Sequence, residues 1–80
     1  MRIIIRNLGS KTTEADVSDM LNDYGDITIS QVKSVVEQGN GRIMTCAYVV
    51  TNDRTSGEAL IAGFNNKEID GQKLTVKEAR

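Results

Sequence analysis

The chain predicts an α+β domain of element order β-α-β-β-α-β, with two helices on one face of a four-stranded antiparallel sheet. Three observations lead there. Segments that are rich in β-branched residues, or that alternate apolar with polar, recur at 2–8, 27–36, 42–51 and 73–77. Between the first two, and again between the last two, the apolar spacing changes to i, i+3, i+4, i+7. The residues at that spacing are Val17, Met20, Leu21 and Tyr24, then Gly57, Leu60, Ile61 and Phe64. Turn-forming Gly, Asn and Asp stand at the junctions.

The first strand, 2–8, leaves through the turn residues Asn7-Leu8-Gly9-Ser10-Lys11. Thr13 then offers an N-cap, with Asp16 three residues on as an acidic variant of the capping box. Gly25 supplies the left-handed stop after the helix. Residues 27–36 read as a second strand with an irregular start, and Gly39-Asn40-Gly41 as a hairpin turn into the third strand, 42–51. Thr45 is the one awkward polar residue on its inward side. Thr55 with Glu58 reads as a second capping box, Asn65-Asn66 as the end of that helix, and Asp70-Gly71 as a turn. The last strand is 73–77, with Leu74 and Val76 pointing the same way. This is the split βαβ, or ferredoxin-like, arrangement, and its second sheet face is left open to solvent. No Pro-rich, Ser-rich or repeated segment marks a linker, so residues 1–80 are expected to form one domain.

Composition narrows the function. An apolar content of 39% with 26% charged residues fits an ordinary globule rather than a disordered chain. No apolar run is long enough to span a bilayer, so no membrane role is expected. Nothing resembles a signal peptide, and Cys46 is the single cysteine, which together point to an intracellular, reducing setting such as the cytoplasm. There is no histidine, which removes the usual general base, the commonest metal ligand and any Cys–His nucleophile. No enzyme activity and no cofactor are therefore expected. The net charge of −1 argues against a strongly basic polyanion binder, yet the charges are sorted. Arg2, Arg6, Lys33, Lys73, Lys77 and Arg80 lie on or beside strand segments. Glu14, Asp16, Asp19, Asp23 and Asp26 lie mainly on the first helix. A basic sheet face with an acidic back would steer a polyanion to one side.

The chain resembles the RNA recognition motif (RRM) family over nearly its whole length. Ile3 to Leu8 matches the RNP2 strand, ending in the same Asn7-Leu8. Thr13-Glu14-Ala15-Asp16-Val17 through Leu21, with Tyr24-Gly25-Asp26-Ile27, is similar to the first helix and its turn. Residues 64–76, from Phe64-Asn65-Asn66 through Asp70-Gly71 to Leu74-Thr75-Val76, follow the family's C-terminal pattern. Asn66 stands where glycine is usual, and Asn tolerates the same left-handed backbone. The resemblance implies single-stranded RNA as the partner, bound on the open sheet face by aromatic stacking. The aromatic equipment is reduced. Ile4 occupies the aromatic position of RNP2, and Met44, Thr45, Cys46 and Tyr48 occupy the matching RNP1 positions, so Tyr48 alone remains.

Alternation along the strands turns Ile3, Ile5, Ala47, Val49, Leu74 and Val76 toward the helices. It turns Ile4, Arg6, Met44, Cys46, Tyr48, Val50, Thr75 and Lys77 outward, with Lys33 and Val35 beside them. The expected RNA contacts are Tyr48 for stacking, Ile4, Met44 and Cys46 for van der Waals support, and Arg6, Lys33, Lys73 and Lys77 for phosphates, with Arg80 near the last strand as a further cation. Binding is expected to be weak and of little sequence preference. The alternative is a protein partner, or a second copy in a homodimer, on the apolar patch of Ile4, Met44, Cys46 and Val50. Other families share the element order, but a copper carrier needs a Cys-x-x-Cys loop, and an acylphosphatase needs a glycine-rich anion cradle that Asn7-Leu8-Gly9-Ser10-Lys11 does not resemble.

Overall fold

A computed structural model describes residues 1–79; Arg80 lies outside the described residues. Its elements are β1 (Arg2–Leu8), α1 (Glu14–Met20), β2 (Ile27–Val36), β3 (Ile43–Thr51), α2 (Arg54–Phe64), β4 (Glu68–Ile69), β5 (Gln72–Lys73) and β6 (Thr75–Glu78). The main sheet is antiparallel throughout, in the order β2-β3-β1-β6, which puts β1 and β3 side by side at its centre. Ile3, Ile5, Leu8, Ala47, Val49, Leu74 and Val76 meet Val17, Leu21, Leu60 and Phe64 in one core on the helix side. Gly57 lets α2 approach the sheet closely, since a Cβ there would lie 2.9 Å from Thr51 Oγ1.

The local signals act as physical chemistry requires. Thr13 closes the capping box, its Oγ1 accepting from the Asp16 N–H at 3.2 Å while the Asp16 carboxylate accepts from the Thr13 N–H at 3.0 Å. Asn66 (φ 67°) takes the left-handed backbone expected of it, and Gly25 (φ 81°) does so too, but in the turn that follows α1 and not at the end of the helix. Tyr24 lies past the end of α1, yet its ring packs on Phe64 with centroids 5.3 Å apart.

Three elements differ from expectation. α1 ends at Met20 with Leu21 as its C-cap, four residues short of the expected stop at Gly25. α2 begins at Arg54, capped by Asp53, not Thr55. Asp53 Oδ1 accepts from the Ser56 N–H at 2.6 Å, and a carboxylate also complements the positive end of the helix dipole, an advantage that threonine lacks. Glu58 is left facing Arg54 one turn earlier, at 3.9 Å. The expected last strand, 73–77, is divided. Asp70 (φ 52°) and Gly71 (φ 78°) form a two-residue turn that folds β4 onto β5 and pairs Lys73 with Glu68. The chain joins the main sheet only from Thr75, opposite Arg6.

Both central interruptions are bulges. β1 slips between Ile5 and Leu8, where Asn7 takes φ 68°. β2 slips between Ile29 and Gln31, the irregular start expected of this strand. Thr45 is buried on the helix side, as its register demanded, and its Oγ1 finds no hydrogen-bond partner among the described residues.

Candidate nucleic-acid interface

The face of the sheet away from the helices is laid out by register. Gln31, Tyr48, Ile4 and Lys77 form one row across β2, β3, β1 and β6. Lys33 pairs with Cys46 in the next row, and Arg6 with Thr75. Val35 pairs with Met44 beyond them, and Thr28, Val50 and Arg2 form the row on the other side of Tyr48. Tyr48 points outward and is half-buried, so the register expected from Ala47 and Val49 holds.

The expected site residues divide into three groups. Arg6, Lys33, Tyr48 and Lys77 come together as exposed or half-exposed side chains around the centre of this face. Ile4 and Cys46 lie on the expected face but are only 4% and 3% exposed, so they form its floor rather than outward contacts. They sit on the two central strands, where Ile4 has Tyr48 and Lys77 as its register neighbours and Cys46 has Lys33. Lys73 stands apart, exposed on the β4–β5 hairpin rather than on the main sheet. Met44 is half-buried at the margin. With two of its four residues covered, the expected apolar patch shrinks to Met44 and Val50.

The ring of Tyr48 is not bare. Lys33 Nζ lies over it, 5.3 Å from the centroid. On either side the surface sinks into an open depression. One, of about 390 Å³, is lined by Ile4, Arg6, Tyr48, Lys77, Glu78 and Ala79. The other, of about 460 Å³, lies toward Arg2, Ser30, Gln31 and Val50. Arg2 and Gln31 were not anticipated as site residues. Arg2 was legible, because it shares the parity of Ile4 and Arg6. Gln31 shares the parity of Lys33 and Val35, which puts it on the open face, whereas alternation from Ile27 and Ile29 sends it inward; the extra residue at Ser30 reconciles the two.

Electrostatically the two sides of the domain contrast. Among the described residues the ion pairs are Arg54–Glu58 and Arg54–Glu78, so Arg2, Arg6, Lys33 and Lys77 have no carboxylate partner. Glu14, Asp16, Asp19, Asp23 and Asp26 are exposed on or just after α1, across the sheet from them. Asn7 braces the rim: its amide donates to the Lys73 carbonyl and its Oδ1 accepts from Arg42, both at 2.9 Å. No helix among the described residues is long and apolar enough to cross a membrane.

This geometry has known counterparts. The family model for the RNA recognition motif matches residues 3–75. A glycine-rich RNA-binding protein of Daucus carota is 29% identical over 79 residues, 99% of this chain and 49% of its own. The protein RbpD of Nostoc sp. is 30% identical over 80 residues, all of this chain and 83% of its own. The crystal structure of the RNA-binding protein PG1 superposes with a TM-score of 0.73 at 28% identity, covering 99% of this chain and 93% of that one. The chain belongs to the RNA recognition motif family, an RNA-binding fold. It spans about half the length of the carrot relative and most of RbpD.

Proposed function

We propose that the domain binds single-stranded RNA through its open sheet face, weakly, with Tyr48 as the stacking platform. The observation that carries this reading is a half-exposed tyrosine between two open depressions rimmed by cations without carboxylate partners among the described residues. Lys33 over the ring contributes about 0.5–1 kcal/mol at an exposed site. A stacked base contributes about 1–3 kcal/mol, so the base displaces the ammonium. Lys33 is then free for a phosphate, alongside Arg6 and Lys77, with Lys73 at the margin. Ile4 and Cys46 support the ring from below, and Met44 offers van der Waals contact. One stack and a few phosphates amount to about −6 to −8 kcal/mol, which is micromolar affinity. The reading needs no catalytic residue and no cofactor, and it fits an intracellular setting in which Cys46 stays a free thiol. A protein or homodimer contact on the same face has less support, because Ile4 and Cys46 are covered.

The test is a titration with a short single-stranded RNA at several salt concentrations. Three or four phosphate contacts give a log–log salt slope of about −2 to −3. Tyr48→Ala should weaken binding about tenfold, from the loss of one stack. No binding at low salt, or an unchanged affinity in Tyr48→Ala, contradicts the reading.

A further inference from the structure

We infer that the depression between Arg2 and Gln31 is a base-reading subsite that prefers guanine, next to the base stacked on Tyr48. The inference rests on the RNA-binding reading above and adds a specificity that the reduced aromatic set does not supply.

Four observations carry it. Val50 forms the floor, half-buried on β3, with Arg2 on β1 directly opposite it in register. Gln31 enters from β2 as the partner of Tyr48. Arg2 and Gln31 thus stand two strand spacings apart, on the order of 10 Å, with an apolar floor and an aromatic wall between them. Second, the β2 bulge at Ser30 turns Gln31 to this face, and bulges characteristically re-aim a side chain beside a site. Third, both side chains are exposed, and neither makes a side-chain hydrogen bond or ion pair among the described residues. Fourth, the space, about 460 Å³, is the larger of the two depressions beside Tyr48.

The donor pattern selects the base. A guanidinium only donates, and guanine presents two adjacent acceptors, O6 and N7. Adenine places a donor beside N7, and the pyrimidines lack N7, so each leaves part of the arginine fork unmatched. The amide of Gln31 both donates and accepts, so its oxygen can accept a hydrogen bond from an N–H on the remaining guanine edge.

The experiment compares two RNA 8-mers, all uridine and uridine with a single central guanine, by fluorescence anisotropy at fixed low salt. The wild-type domain should bind the guanine oligomer about tenfold tighter, the scale of one bidentate base contact. Arg2→Lys keeps the charge and loses the fork, so the ratio of the affinities for the two oligomers should fall to about one. Gln31→Ala should reduce the preference in part. Equal wild-type affinity for the two oligomers overturns the subsite and leaves the RNA-binding reading standing. An Arg2→Lys variant that keeps the preference also overturns it. Binding of neither oligomer overturns both.

Discussion

Thr45 shows how one residue can be held by register against its own chemistry. Its neighbours Ala47 and Val49 on β3 face the core, and alternation carries Thr45 inward with them, where its Oγ1 has no partner among the described residues. A buried hydroxyl without a hydrogen bond costs about 1–3 kcal/mol, and valine has nearly the same shape. Thr45→Val should therefore stabilise the domain by about 1 kcal/mol, measured by urea denaturation. A loss of stability would mean that the hydroxyl is satisfied in solution. Tyr48 is its counterpart on the open face. Its outward direction follows from the same alternation, so one register explains both the orphaned hydroxyl and the available ring. The sequence already placed Tyr48, Arg6, Lys33 and Lys77 on one face. It could not show that Ile4 and Cys46 are covered, because that depends on the reach of side chains on neighbouring strands.

At the scale of elements, the start of α2 decides between two caps. Both Asp53 and Thr55 precede apolar periodicity, and both have a partner at the right spacing. The extended backbone of Asp53 (φ −137°) and its bond to the Ser56 N–H make it the cap, leaving Thr55 exposed in the first turn. Asp53→Ala should cost about 1 kcal/mol and Thr55→Ala a few tenths or less. Equal costs, or the reverse order, would restore the later start. The other elements were legible to different degrees. β1 and β2 keep the bounds that their β-branched runs suggest. The division of the last strand is not evident in its short alternating run, although its cause, the turn at Asp70-Gly71, is. A two-residue turn with both φ values positive returns the chain on itself, and that makes a hairpin of residues 68–73. The bulge at Ser30 is visible in the sequence as a broken alternation between Ile29 and Val32, and the parity of Lys33 and Val35 carries Gln31 to the open face beyond it.

At the scale of the whole molecule, a domain of net charge −1 presents two unlike sides. The cations of β1, β2 and β6 rim the open face, while the carboxylates of α1 and its turn lie behind the sheet. Net charge alone argues against a polyanion partner, and its distribution argues for one. The fold was legible from periodicity and turns. The site was legible as a face but not as a surface, since cover, depressions and the lysine over the ring all arise from tertiary packing. The most direct measurement is a residue-resolved NMR titration with short single-stranded RNA at low salt. Amide shifts should concentrate on Tyr48 and its row-mates Gln31, Ile4 and Lys77, with Arg6 and Lys33 beside them, and should shrink as salt rises. Shifts centred on α1 and its acidic residues, or no shifts at low salt, would contradict the assignment of the open face as the RNA-binding surface.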